Sequence, residues 1–177
     1  MRFSLRPLLV PVLVVALSVP LGDATAVPHP TGAAARSTTA SFSWPLAPPH
    51  PVVRPFEAPA SPYGPGHRGV DLGGAPGEAV LAAADGVVVF AGQLAGRGVV
   101  SIDHDGGLRT TYEPLLPGVA AGQRVAAGAT IGQLVAGHPG CPAAACLHWG
   151  VRRGAEYLDP LGLMSAGRVR LLPLEPS

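Results

Sequence analysis

The sequence contains no lysine, because all 12 of its basic residues are arginine. Any function that attaches a cofactor through a lysine amine is thereby excluded. Arginine, alanine, glycine and proline are abundant together, which reads as the codon bias of a GC-rich bacterial genome and not as a sign of function. Only two cysteines occur, Cys141 and Cys146, so at most one bridge can form within the chain. No apolar run reaches the roughly 20 residues that cross a bilayer. The longest, Leu8 to Leu21, falls short and is broken by Pro11 and Pro20. Nor does any segment keep a sustained helical period, which excludes an α-helical architecture.

What is present begins with the three parts of a secretory signal: basic Arg2 and Arg6, the apolar run, and small residues ending at Ala26. Residues 1–26 are predicted to be a signal peptide, giving a secreted, cell-wall-associated product with no stable membrane insertion. Its removal takes Arg2, Arg6 and Asp23, leaving 10 of the 12 basic and 10 of the 11 acidic residues. A neutral balance suggests neither nucleic acid nor an anionic membrane surface as partner. The length of 177 residues then allows one domain with an appendage.

Residues 27–41 are Pro, Ala, Ser and Thr with little to bury, and they read as a flexible linker. In 42–65 the prolines continue, but Phe42, Trp44, Leu46, Val52, Val53, Phe56 and Tyr63 interleave with them. That pattern predicts an extended segment laid across a domain surface, suited to edges more than to central strands. After Gly69 come short apolar or β-branched runs bounded by Gly or Asp: Ala79 to Ala82, Gly86 to Phe90, Val99 to Ile102, Leu108 to Tyr112, Thr130 to Val135 and Leu147 to Val151. Such spacing predicts an all-β domain over 42–164, a small sandwich or partly closed barrel, with 165–177 as a tail. A near-repeat from Val119 to Gly132 looks like two tight turns feeding strands, as in biotinyl and lipoyl carrier domains. Those carriers attach their cofactor to lysine, so only the turn geometry is retained.

Two segments carry candidate chemistry. His67-Arg68-Gly69-Val70-Asp71 sets an imidazole and a carboxylate four residues apart on a glycine-hinged loop entering a strand. Alone, such a pair is usually a solvated loop with a local hydrogen bond. Cys146-Leu147-His148 reads as strand, so residues 146 and 148 share a face. A catalytic zinc needs three protein ligands and an open position, and His67, Asp71 and His148 together would supply that set.

Order and combination sharpen the reading. The chain resembles the lysostaphin-like peptidoglycan endopeptidases, whose pattern runs His-x-Gly-x-Asp, a Gly-Val-Val strand, Tyr-x-His-Leu, Gly-x-x-Val-x-x-Gly and His-x-His. The counterparts are His67 to Asp71, Asp85 to Gly92, Tyr112 to Leu115, Gly122 to Gly132 and Cys146 to His148. The resemblance spans about residues 42–160. It implies zinc held by His67, Asp71 and His148, and action on peptidoglycan peptides. Two positions depart from it. Where the family places histidines that activate water or stabilise the oxyanion, this chain has Pro114 and Cys146. Proline has no proton to exchange, and losing one oxyanion donor costs about 100- to 1000-fold in rate.

Neighbouring groups offer partial substitutes. Glu113 is a competent base, but adjacent strand residues face opposite ways, so it is expected to look away from the metal. His138 lies in a loop that could swing its imidazole inward but reads as a solvent-exposed turn histidine, His104 reads as structural, and His29 and His50 in proline-rich chain receive no role. Cys141 and Cys146 are read either as a disulfide, favoured in an oxidising compartment and worth about 2–3 kcal/mol at most, or with Cys146 as a thiolate fourth ligand. Two functions remain: a peptidoglycan zinc endopeptidase, or a catalytically degenerate relative that binds wall peptides or regulates a partner wall hydrolase.

Overall fold

The computed structural model describes residues 42–47, 50–61 and 63–164, all within the unit Ser37–Ser177. The predicted signal peptide (1–26), linker (27–41) and tail (165–177) lie outside the described residues. Among the described residues there is no α-helix, and none that could cross a membrane. The strands are β1 (Val52–Arg54), β2 (Val70–Gly74), β3 (Ala79–Leu81), β4 (Gly86–Leu94), β5 (Arg97–Asp103), β6 (Leu108–Glu113), β7 (Leu115–Pro117), β8 (Arg124–Val125), β9 (Thr130–Leu134), β10 (Ala145–Arg153) and β11 (Glu156–Leu158).

They form two antiparallel sheets and not a closed barrel. The larger runs β1-β2-β10-β6-β5-β4-β8, with β11 also paired to β10, and the smaller runs β3-β9-β7. Alternation explains how they meet. In β6, Leu108, Thr110 and Tyr112 are buried while Arg109, Thr111 and Glu113 are half-exposed, the signature of a sheet with one face on a core and one toward water. Tyr112, Trp149, Leu72 and Ile102 of the larger sheet and Val80, Ile131, Leu134 and Leu115 of the smaller belong to one hydrophobic cluster. The Tyr112 hydroxyl accepts from the Ala83 amide at 3.0 Å, and burial pushes its pKa up to about 12.

The proline-rich stretch behaves as an edge. Phe42 and Leu46 are buried in the core, and β1, flanked by Pro51 and Pro55, adds to the outside of β2. Tyr63, expected to pack with them, is 99% exposed. The β4 and β5 strands run further than their apolar runs and meet in a hairpin at Ala95 and Gly96, both with positive φ (50° and 81°). A two-residue turn of this kind matches strand twist only with both centres left-handed, and alanine there gives no sequence signal.

His104 is a structural residue. Its Nδ1 donates to the Asp85 carbonyl at 2.8 Å and its Nε2 accepts from the buried Thr110 hydroxyl at 2.7 Å, so the neutral ring is fully satisfied. Burial pushes its pKa below the ordinary 6.5, against the pull of the Asp85 carbonyl and nearby acids. Below pH 6.5 the unfolded chain takes up a proton that the folded ring refuses, so stability from this group is complete above that value and falls as pH drops through it. In urea titrations, His104→Gln is expected to lose about 1–3 kcal/mol near neutrality and to show a shallower decline in acid than the parent.

Candidate metal centre

The proline-rich edge presents His67. Glu57 and His67 exchange both main-chain hydrogen bonds, at 3.0 and 2.8 Å, and His67 Nδ1 donates to the Pro55 carbonyl at 2.7 Å. The proton is therefore fixed on Nδ1, and Nε2 turns an unshared pair inward. Support of this kind, in which the outer nitrogen is held by a carbonyl, orients metal-binding histidines generally.

Strand register supplies the other two groups. Asp71 of β2 is paired with His148 of β10, and His148 is paired in turn with Glu113 of β6. Side chains at paired positions share a face, so Asp71, His148 and Glu113 stand in a row across three strands. Gly69 allows β2 and β10 to close up. A Cβ there would lie 2.5 Å from the Trp149 carbonyl oxygen and 2.8 Å from His148 Nε2, which explains the glycine between His67 and Asp71.

Three donor atoms converge. His67 Nε2 lies 3.0 Å from Asp71 Oδ1 and 3.0 Å from His148 Nδ1, and His148 Nδ1 lies 2.8 Å from Asp71 Oδ1. Two imidazole nitrogens and a carboxylate oxygen within 4.8 Å of one another form a constellation that could hold a metal ion. A tetrahedral zinc with bonds of about 2.0–2.1 Å sets its donors roughly 3.3 Å apart, close to the observed spacing. The chemistry fits as well, since with its proton pinned on the far side, His67 Nε2 turns an unshared pair toward the Asp71 carboxylate, and a cation would relieve them. Burial raises the Asp71 pKa, but the His148 hydrogen bond and the charges of His138, His148 and His67 outweigh it, and the carboxyl is held below its ordinary value.

The remaining candidates are distributed differently from expectation. Cys146 is joined to Cys141 by a disulfide, so no thiolate is left for a fourth ligand. Glu113 does not look away: it lines the same cavity of about 290 Å³ as His67, Pro114, His138 and His148. The alternation argument fails here because the chain passes from β6 of the larger sheet to β7 of the smaller at Pro114, and strict alternation does not carry across such a change. The Glu113 carboxylate is held by Arg97 Nε at 2.9 Å.

His138 is the larger correction. Its side chain is only 12% exposed, its Nε2 lies 3.4 Å from Asp71 Oδ1, and its ring stacks on His148 at 6.0 Å between centroids. The flanking Gly137 and Gly140, both with positive φ, turn the loop inward, which the sequence pattern does not reveal. The role of Pro55 also escapes sequence reading, because its contribution is a backbone carbonyl.

Known proteins resemble this chain in sequence and in fold. Proteins of Mycobacterium tuberculosis and Mycobacterium bovis, both uncharacterized, are 56% identical over 146 residues, which is 80% of this chain and 59% of theirs. The chain thus spans about three fifths of the length of the curated relatives it matches. Csd3 of Helicobacter pylori is similar in structure, with a TM-score of 0.59 at 27% identity, covering 75% of this chain and 37% of that one. A zinc-containing peptidase of Vibrio cholerae shares the fold, with a TM-score of 0.55 at 24% identity over 67% of this chain and 38% of that one. Residues 65–160, from just before His67 to just beyond β11, match the profile of Peptidase family M23, and the chain belongs to that family.

Proposed function

We propose that this protein is an exported zinc metalloendopeptidase that cuts peptide cross-links of peptidoglycan at the cell wall. The observation that carries the reading is the convergence of His67 Nε2, Asp71 Oδ1 and His148 Nδ1 with the His67 proton fixed away from them. Membership of Peptidase family M23 supports the reaction class. Residues 1–26 support export, and a Cys141–Cys146 disulfide suits an oxidising compartment.

His67, Asp71 and His148 would hold the zinc. When bound, zinc supplies Lewis acidity that polarises a peptide carbonyl and acidifies water. The chain's own contribution is geometric. Pro55 and Glu57 hold His67, and Gly69 lets His148 close onto the loop. The cavity beside them exposes the Arg97 guanidinium, braced by Glu113, as a hydrogen-bond donor to a bound peptide backbone.

The second reading is a degenerate relative that binds wall peptides or regulates a partner wall hydrolase. Proline at 114 and a disulfide-bonded cysteine at 146 favour it. Zinc content together with release of new amino groups from purified peptidoglycan separates the two. Bound metal with amine release supports the peptidase, and bound metal without release supports the binder.

Three variants test the ligand set. His148→Ala is expected to abolish zinc retention by elemental analysis, whereas Glu113→Ala retains it. If both variants hold zinc as well as the parent, the ligand assignment is wrong. Gly69→Ala pushes a methyl against the Trp149 carbonyl and the His148 ring. It is expected to weaken zinc about 10- to 100-fold, the usual effect of disturbing a ligand's support, in competition with a chromogenic chelator.

A further inference from the structure

We infer that His138 is the catalytic imidazole of this protein, delivered by a loop that is anchored at the two positions where the family's histidines are missing. The inference rests on the peptidase reading above. After β9 the Val135 amide donates to the Pro114 carbonyl at 3.2 Å. At its other end the loop is tied by the disulfide from Cys141 to Cys146 at the start of β10. Pro114 and Cys146 are thus the fixed points of a short span, and His138 lies between them.

The span places His138 where catalysis needs it. Its ring borders the cavity that His67, His148 and Glu113 also line, yet it touches the donor triangle only through the 3.4 Å approach to Asp71 and the stacking on His148. His138 is not among the donor atoms that lie within 4.8 Å of one another, so it stands beside the triangle and not in it. Its orientation is also set, since Nδ1 bonds to the Pro139 carbonyl at 3.0 Å and Nε2 is the ring nitrogen that faces the site. In the reaction, Nε2 takes a proton from water as the oxygen bonds to the peptide carbonyl carbon. It returns that proton to the amide nitrogen as the C–N bond breaks, leaving a carboxylic acid and an amine, with the imidazole regenerated.

The test compares parent, His138→Ala and Cys141→Ser on purified peptidoglycan, with zinc content measured for each. His138→Ala is expected to keep its zinc and to lose about 100- to 10,000-fold in kcat, the range for a general acid–base group, with KM little changed and partial rescue by added imidazole. Cys141→Ser is expected to keep zinc and lose activity as the loop is released. Loss of zinc from His138→Ala makes the residue a ligand and overturns the inference, as does unchanged kcat in an active protein. A zinc-loaded parent that releases no amine overturns the peptidase reading itself, and this inference with it.

A second observation, independent of His138, concerns charge. Five of the seven described arginines line two adjoining cavities: Arg54 and Arg97 the site cavity, and Arg68, Arg97, Arg109 and Arg152 a neighbour of about 280 Å³. The two share Arg97, Glu113 and His148, and of the nine described acidic residues only Glu113 lines either; Arg97 is paired with Glu113, and Arg109 with Asp103 just outside the cavity. Arg68 is steadied over the Tyr157 ring at 5.5 Å and by the Gly64 carbonyl, and Arg152 by the Gly154 carbonyl. We propose that this groove selects peptides carrying a carboxylate side chain near the bond to be cut, since planar guanidinium groups suit carboxylates.

Fluorescent Ala-Glu-Ala-Ala and Ala-Gln-Ala-Ala, blocked at both ends, are the probes, and chelator-treated protein is used so that cleavage plays no part. The acidic peptide is expected to bind at least about fivefold more tightly at low salt, with the preference shrinking near 0.5 M salt and vanishing in a variant carrying Arg68→Gln and Arg152→Gln. Equal affinities, or a preference that survives in the double variant, overturn the proposal whatever the outcome for hydrolysis.

Discussion

The pairing of β10 between β2 and β6 is the constraint on which the site depends. It sets His148 opposite Asp71 on one side and Glu113 on the other. Side chains alternate strictly along a strand, so a slip of one residue would bury His148 and expose its neighbours. Leu147 and Trp149 prevent that slip. Both are completely buried, and each contributes on the order of 2–3 kcal/mol of apolar burial that a shifted register would forfeit. The core therefore fixes the position of His148, the candidate ligand on β10.

Around that fixed strand the protein uses loops for what strands cannot supply. His67 comes from a turn held to the edge of the larger sheet by main-chain hydrogen bonds from Glu57. His138 comes from a span tied to Pro114 and Cys146. Both imidazoles have their Nδ1 protons committed to proline carbonyls, Pro55 and Pro139. Proline carbonyls are apt for this, because a residue without its own amide proton is less readily drawn into a ladder and keeps its oxygen available.

Much of this was legible in the sequence, and the limits have physical causes. The all-β class followed from short apolar runs, and all six runs lie on strands β3, β4, β5, β6, β9 and β10. His67, Asp71 and His148 were weak candidates by residue type and spacing alone and were singled out through the resemblance to the lysostaphin-like family; the fold brings the three side chains together. What the sequence did not disclose was set by contacts between distant segments. Glu113 was misjudged because its facing depends on cross-strand pairing and on a change of sheet at Pro114, not on its neighbours. His138 was misjudged because a histidine among Gly137, Pro139 and Gly140 has the composition of a surface turn, and its inward course depends on those glycines together with the anchors at either end. The extent of β4 and β5 was underestimated because Ala95 closes their hairpin without a recognisable turn signature.

The contact between the His67 loop and β10 joins residues far apart in the chain, with Asp71 and His148 separated by 77 positions. Closing so long a loop carries an entropic cost before any contact repays it, and folds dominated by such distant pairings form slowly. The donor triangle cannot exist in a partly folded chain that has yet to dock β10. A metal captured at this place would therefore report completed topology, so that assembly of the fold and assembly of the donor triangle are one event.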